Sequence, residues 1–198
     1  MRERNCIFIH VPKCAGLAVA HALLGGKGGA HASAADYLSV FGARWFDQAF
    51  KFAFVRDPWR RTVSAFDFLR RGGLHADDAA FAETHLKRYS TIDAFVTEGL
   101  ARPEIRTWPH FREQVSFLLD PRTDRLAVDY LGRVETIEED FRAIRARLGL
   151  ACELPMKNAR VATEADDSLK LSARAIDRIA EVYARDVEML GYRDYPAA

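Results

Sequence analysis

Lys13 follows Pro12 at the end of the apolar run Cys6 to Val11 and stands three residues before Gly16. A lysine and a glycine in a tight turn between a strand and a helix make an anion site. The N–H groups and dipole of the helix start favour negative charge, the lysine adds a full positive charge, and the glycine lets backbone approach an oxyanion closely. Arg56 and Ser64, eight residues apart across a second strand end, offer a guanidinium and a hydroxyl suited to a second phosphate. A reaction beside such anion sites that releases a proton needs a group to take it, and histidine is the usual choice near neutral pH. Of the six histidines, His10 lies in the first apolar run, where a structural role is expected. His21 falls in helix-forming sequence, and His75 and His85 in a polar stretch. His31, after a glycine-rich loop, and His110 stand as candidate bases, with Glu and Asp also open.

These side chains need elements to position them. Cys6 to Val11 is β-branched and aromatic and reads as a buried strand, ended by Pro12, which has no N–H to give. Gly16 opens an Ala/Leu/Val helix, Leu17 to Leu24, closed by Gly25-Gly26. Lys51 to Arg56 is a second strand. Asp57 caps the helix after it, Pro58 is that helix's first residue, and Trp59, Val63, Phe66 and Leu69 give it a buried face. The G-x-x-x-x-G-K-[ST] pattern is absent, the lysine here preceding the glycine. Between the two units Ser33 with Asp36 predicts a capped helix stopped by Gly42, and Arg44 to Phe50 a further helical piece. Strand, helix, strand, helix in this order argues for a parallel sheet with right-handed crossovers.

Further on, helices are expected over 77–88 and 92–100, the latter capped by Thr91, with Pro103 to Pro109 irregular. Val115 to Leu119, Leu126 to Tyr130 and Arg133-Val134 are strand candidates. Thr136 with Glu139 predicts a capping box for a helix to Leu148, stopped by Gly149, and Ser172 the cap of a last helix to Leu190. The long loop from Cys152 to Asp167 carries Lys157, Asn158 and Arg160 and suits a binding segment.

Ile7 to Gly16 and Phe52 to Phe66 together closely resemble the two nucleotide motifs of sulfotransferases that use 3′-phosphoadenosine 5′-phosphosulfate (PAPS). The likeness is greatest to the branch that includes carbohydrate O-sulfotransferases, and it continues more weakly through Phe111 to Gln114, Gly132 to Glu135 and Leu154 to Asn158. The resemblance implies one P-loop-type domain over 1–198, a three-layer α/β/α arrangement around a mainly parallel central sheet. It implies that Pro12, Lys13, Cys14, Ala15, Gly16, Leu17 and Ala18 hold the 5′-phosphosulfate and that Arg56 and Ser64 hold the 3′-phosphate. Lys13 would stabilise the departing phosphate oxygen. His31, 25 residues before Arg56 of the second motif, resembles the family's catalytic histidine in its placement. The acceptor would be a carbohydrate or small-molecule hydroxyl, with His110 and Gln114 among its contacts; PAP is the product and no metal is required. The family often has Lys-Thr-Gly-Gly-Thr-Ser where this chain has Lys13 to Ala18, so the loop hydroxyls are missing and backbone donors remain.

Two other functions compete with this one: a P-loop kinase or nucleotide hydrolase, and a module that binds PAP without chemistry. A cysteine phosphatase is excluded, because C-x5-R counted from Cys14 requires arginine at position 20, which is Ala20. A formal charge of +1 gives no support to bulk nucleic-acid or membrane binding, and 49% apolar with 29% charged residues suits a globular domain. Three scattered cysteines suit neither a disulfide framework nor zinc and fit a reduced cytoplasm. The apolar N-terminal run is not read as a signal peptide, since His10, Pro12 and Lys13 interrupt it, and no stretch is long enough for a membrane span.

Overall fold

The computed structural model describes residues 4–25, 31–155, 170–193 and 195. In chain order, strand β1 (Cys6–Ile9) is followed by helices α1 (Gly16–Leu24), α2 (Ala34–Phe41) and α3 (Ala43–Gln48), then by strand β2 (Phe50–Val55). Helices α4 (Pro58–Arg70) and α5 (Ala76–Phe81) come next, α5 passing into a π-helical turn at Ala82–Leu86, then α6 (Ile92–Glu98) and the short α7 (Pro103–Arg106). The helical turn α8 (Val115–Leu118) leads into strands β3 (Leu119–Asp120), β4 (Arg125–Leu126) and β5 (Tyr130–Arg133). Helices α9 (Ile137–Arg147), α10 (Ala173–Val182) and α11 (Ala184–Leu190) complete the described chain. The chain is thus of the α/β class with a central parallel sheet, as expected. It divides into two compact units, one made of Met1–Arg56 with Gln114–Asn158 and the other of Asp57–Glu113 with Ala159–Ala198.

The first unit is built on the parallel sheet β1-β2-β5, with Phe8 opposite Phe52 and Phe54 opposite Gly132. All four residues of β1 and five of six in β2 are buried, the pattern of a parallel sheet covered on both faces. Alternation puts Phe8, Phe50 and Phe52 on one face, their rings 5.2 to 5.7 Å apart. Gly132 is required at its position because a Cβ there would lie 2.7 Å from the Phe54 ring. Lys51 is buried within β2, yet its ammonium donates to the Ala49 and Phe46 carbonyls and pairs with Asp129 at 3.2 Å. A separate antiparallel pair, β3-β4, matches Leu119 with Leu126.

In the second unit α10 packs on α4 and α6. The Trp59 indole donates to the Ile176 carbonyl at 2.9 Å, and the Phe66, Phe95 and Phe111 rings follow one another at 5.1 and 5.0 Å. The Tyr183 hydroxyl donates to the Phe111 carbonyl at 2.8 Å, and burial pushes its pKa up to about 12.

Several elements depart from expectation. Val115 to Leu118 forms a helical turn rather than a strand: a short apolar run buried all round carries no period to choose between the two. Residues 103–106 are helical, because Pro103 at the first position suits a helix start. The Thr136–Glu139 capping box does not form. The Thr136 hydroxyl donates instead to Asp140, on the next residue along α9. The helix expected from Ser172 to Leu190 breaks at Tyr183, whose backbone leaves helical geometry while its side chain is fully buried. The piece expected from Arg44 to Phe50 runs from Ala43 to Gln48, and Phe50 joins β2. The loop residues Lys157, Asn158 and Arg160, and Gly26 to Gly29 before His31, lie outside the described residues.

Candidate functional site

Two loops leave the same edge of the sheet, because β1 and β2 are parallel neighbours with Ile9 opposite Ala53. The first loop, Pro12 to Ala15, turns β1 into α1. Its backbone carries Lys13 at φ 68° and Ala15 at φ 57°, both left-handed though neither is glycine. Such conformations cost of order 1–3 kcal/mol each and gather at sites where geometry matters. Between Lys13 and Ala15 the Cys14 N–H donates to the Val11 carbonyl at 3.4 Å. The Ala18 and Val19 amides are already taken by the Ala15 carbonyl, so the amides before them form the open first turn of this nine-residue helix. No acidic residue lies in that turn.

Gly16 is held to glycine by a packing contact as well. A Cβ there would come 1.8 Å from Cδ2 and 1.9 Å from Nε2 of His10, so glycine makes room for an imidazole. His10 is 6% exposed, stacks on Phe8 at 5.8 Å and meets His31 edge-on at 4.5 Å. His31 Nδ1 lies 3.2 Å from the His10 carbonyl oxygen. A carbonyl only accepts, so Nδ1 donates the proton of that bond and the lone pair of the neutral ring lies on Nε2. The chain thereby brings His31 to the start of α1 through His10, a partner with no signal in the sequence.

The second loop begins at Arg56, one residue past β2. Its backbone is paired by a side chain: the Gln114 amide donates from Nε2 to the Arg56 carbonyl at 2.8 Å and accepts at Oε1 from the Arg56 N–H at 2.9 Å. The same Oε1 accepts from the Cys14 thiol at 3.2 Å, and that thiol also lies 3.5 Å from the Pro12 carbonyl. Gln114 and Cys14 are buried. Gln114, expected among the acceptor contacts, therefore has its amide engaged by both loops.

Lys13, Cys14, His31, Arg56 and Gln114 all belong to the first unit. Ser64 and His110 belong to the second. Ser64 is half-buried on α4, a helix capped by Asp57, whose carboxylate accepts from the Arg60 N–H at 2.7 Å. His110 is 9% exposed, lies 3.7 Å from the Asp78 carboxylate and tilts against Phe68 at 5.2 Å. Burial pushes the Cys6 thiol above its ordinary pKa, as suits an inert core cysteine, with the N-terminus and Arg4 pulling more weakly the other way. Among the described residues no group of three or more His, Cys, Asp or Glu is placed to hold a metal ion, and no helix is long and apolar enough to cross a membrane.

A family profile described as the sulfotransferase family matches residues 33–193, most of the chain. The match begins after the first loop and takes in Arg56, Ser64, His110 and Gln114. An uncharacterized protein of Archaeoglobus fulgidus is 26% identical over 129 residues, covering 65% of this chain and 89% of that protein. No solved structure matches.

Proposed function

The chain belongs to the sulfotransferase family, and from that premise we propose that it moves a sulfuryl group from PAPS to a hydroxyl of a carbohydrate or small-molecule acceptor. The observation that carries this is the first loop: a lysine and a left-handed turn at the open end of α1, with no acid in its first turn, joined through Gln114 to Arg56 of the second motif. That donor set fits an anionic group, being made of backbone N–H and ammonium. PAPS supplies an activated sulfuryl group whose leaving group is a phosphate.

Within the loop Pro12 to Ala18, the backbone N–H groups from Ala15 to Leu17 and the Lys13 ammonium hold the 5′ end, and Lys13 offsets the negative charge that grows on the departing oxygen. On the spacing of the motif, Arg56 and Ser64 take the 3′-phosphate, which ATP lacks. His31 accepts the acceptor hydroxyl's proton at Nε2, its other nitrogen being engaged as a donor by the His10 carbonyl. As in phosphoryl transfer, positioning and electrostatics do the work, and no step calls on a metal ion. The three cysteines are free thiols, which suits the cytoplasm.

The test is a pair of measurements. Adenosine 3′,5′-bisphosphate is expected to raise the melting temperature where ATP with magnesium does not, because a ligand bound only by the folded state stabilises it. Radiolabelled sulfate is then expected to pass from PAPS to at least one member of a panel of hydroxylated acceptors. Stabilisation by ATP with magnesium alone would turn the assignment to a kinase or hydrolase. Binding of the bisphosphate without transfer to any acceptor would leave a PAP-binding module.

A further inference from the structure

The geometry points to Gln114 as a positioning residue that fixes the two nucleotide loops to each other, an inference that rests on the donor assignment above. Arg56 lies just past the end of β2. Gln114 supplies its pairing there: one side-chain amide copies the donor and acceptor of a neighbouring peptide, at 2.8 and 2.9 Å. The backbone partners fix which end of the amide is oxygen, since Nε2 faces a carbonyl and Oε1 faces an N–H. The second lone pair of Oε1 receives the Cys14 thiol proton at 3.2 Å, so one buried oxygen is shared by both loops.

Neither contact leaves the backbone of either loop free to shift alone. Moving Arg56 breaks two hydrogen bonds, and moving Cys14 breaks the third. An amide buried at 0% exposure is costly to leave half-satisfied, so each of the three bonds is held in place by the cost of losing it. Lys13 is the chain neighbour of Cys14, so Gln114 sets the spacing between the backbone that presents the ammonium and the backbone that presents the guanidinium. A ligand with phosphates at both ends requires that spacing before it binds, and preorganisation of this kind acts on affinity. The missing loop hydroxyls make it more important here, because grip at the 5′ end falls to the backbone that Cys14 helps to hold.

The test uses the whole chain and two readouts. In ligand-free protein, hydrogen exchange at the Arg56 amide and across residues 13–18 is expected to accelerate together in Gln114→Met, which keeps the side chain's length and removes all three bonds. In the same variant, calorimetry is expected to show affinity for adenosine 3′,5′-bisphosphate reduced roughly tenfold or more. Gln114→Glu keeps the two accepting arms and loses the donor to the Arg56 carbonyl, so it should fall between parent and Gln114→Met in both readouts. Cys14→Ala should loosen residues 13–18 and leave the Arg56 amide protected. These two variants decide the matter if Gln114→Met does not fold. Unchanged exchange at Arg56 in Gln114→Met or Gln114→Glu would overturn the clamp. Faster exchange with the parent's affinity would show a role in stability only and overturn positioning. A parent without affinity for the bisphosphate would sink the donor assignment instead, and the exchange pattern would still decide the clamp.

Discussion

At the scale of single residues, the first loop separates chemistry from packing. Lys13 is half-buried, and its backbone takes the positive φ of the turn. Lys13→Ala is therefore expected to abolish sulfate transfer while moving the melting temperature little, checked by transfer assay and thermal melt on the same preparation; full turnover would remove the lysine from the mechanism. Gly16 behaves in the opposite way. Gly16→Ala drives a methyl into the His10 ring, which Phe8 and His31 hold from other sides, so a loss of about 1–3 kcal/mol is expected by denaturant titration. The tight turn from strand to helix was legible from Pro12, Lys13 and Gly16, because strand end, charge and glycine are local facts. Its left-handed residues were not, since nothing about lysine or alanine asks for a positive φ. The roles of His10 and Gln114 were equally hidden, as both depend on partners 21 to 100 residues away.

At the scale of elements, capping chemistry was the most legible signal. Ser33, Asp57, Thr91 and Ser172 each accept from a backbone N–H three residues on, as their types and positions predicted. Legibility stopped where burial is uniform, as in α8, or where a distant contact overrides a local one, as at Tyr183 and Thr136. The junction of β5 with α9 shows what replaced the expected box. The Asp140 carboxylate accepts from the Thr136 and Tyr130 hydroxyls at 2.7 Å each and from the Arg133 N–H at 2.8 Å. Burial alone would raise its pKa, but these donors together hold it below the usual carboxylate range. A depressed folded-state pKa contributes stability that is present above the unfolded value, about 4, and lost as pH falls through the folded one. Asp140→Asn is expected to lose about 1–2 kcal/mol at pH 7, a figure discounted for partial exposure. Its stability should also fall less steeply than the parent's below pH 4. Urea titrations at pH 7, 5, 4 and 3 check both, and parallel pH profiles would count against this assignment.

At the scale of the whole molecule, the chain leaves the first unit after Arg56 and re-enters it at Gln114, and those two residues are doubly hydrogen-bonded. The excursion between them, residues 57–113, is the first half of the second unit, whose other half follows the first unit's last segment. Each unit is therefore assembled from two separate stretches, and no single cut yields either of them whole. β5 pairs with β2 across that excursion. Closing a flexible loop of this length costs of order 3–4 kcal/mol, a penalty that an already folded second unit would largely remove. Folding of one unit thus favours the other through chain connectivity, and the molecule is expected to melt as one domain. Of the three tryptophans, Trp45 belongs to the first unit and Trp59 and Trp108 to the second. In a Trp45→Phe variant, fluorescence reports the second unit, whereas far-ultraviolet dichroism reports the helices of both. Coincident midpoints by the two probes, with a calorimetric enthalpy equal to the van't Hoff enthalpy, are expected. Midpoints separated by more than a few degrees would mean that the interleaved chain path does not couple the units, and the single-domain assignment would fall.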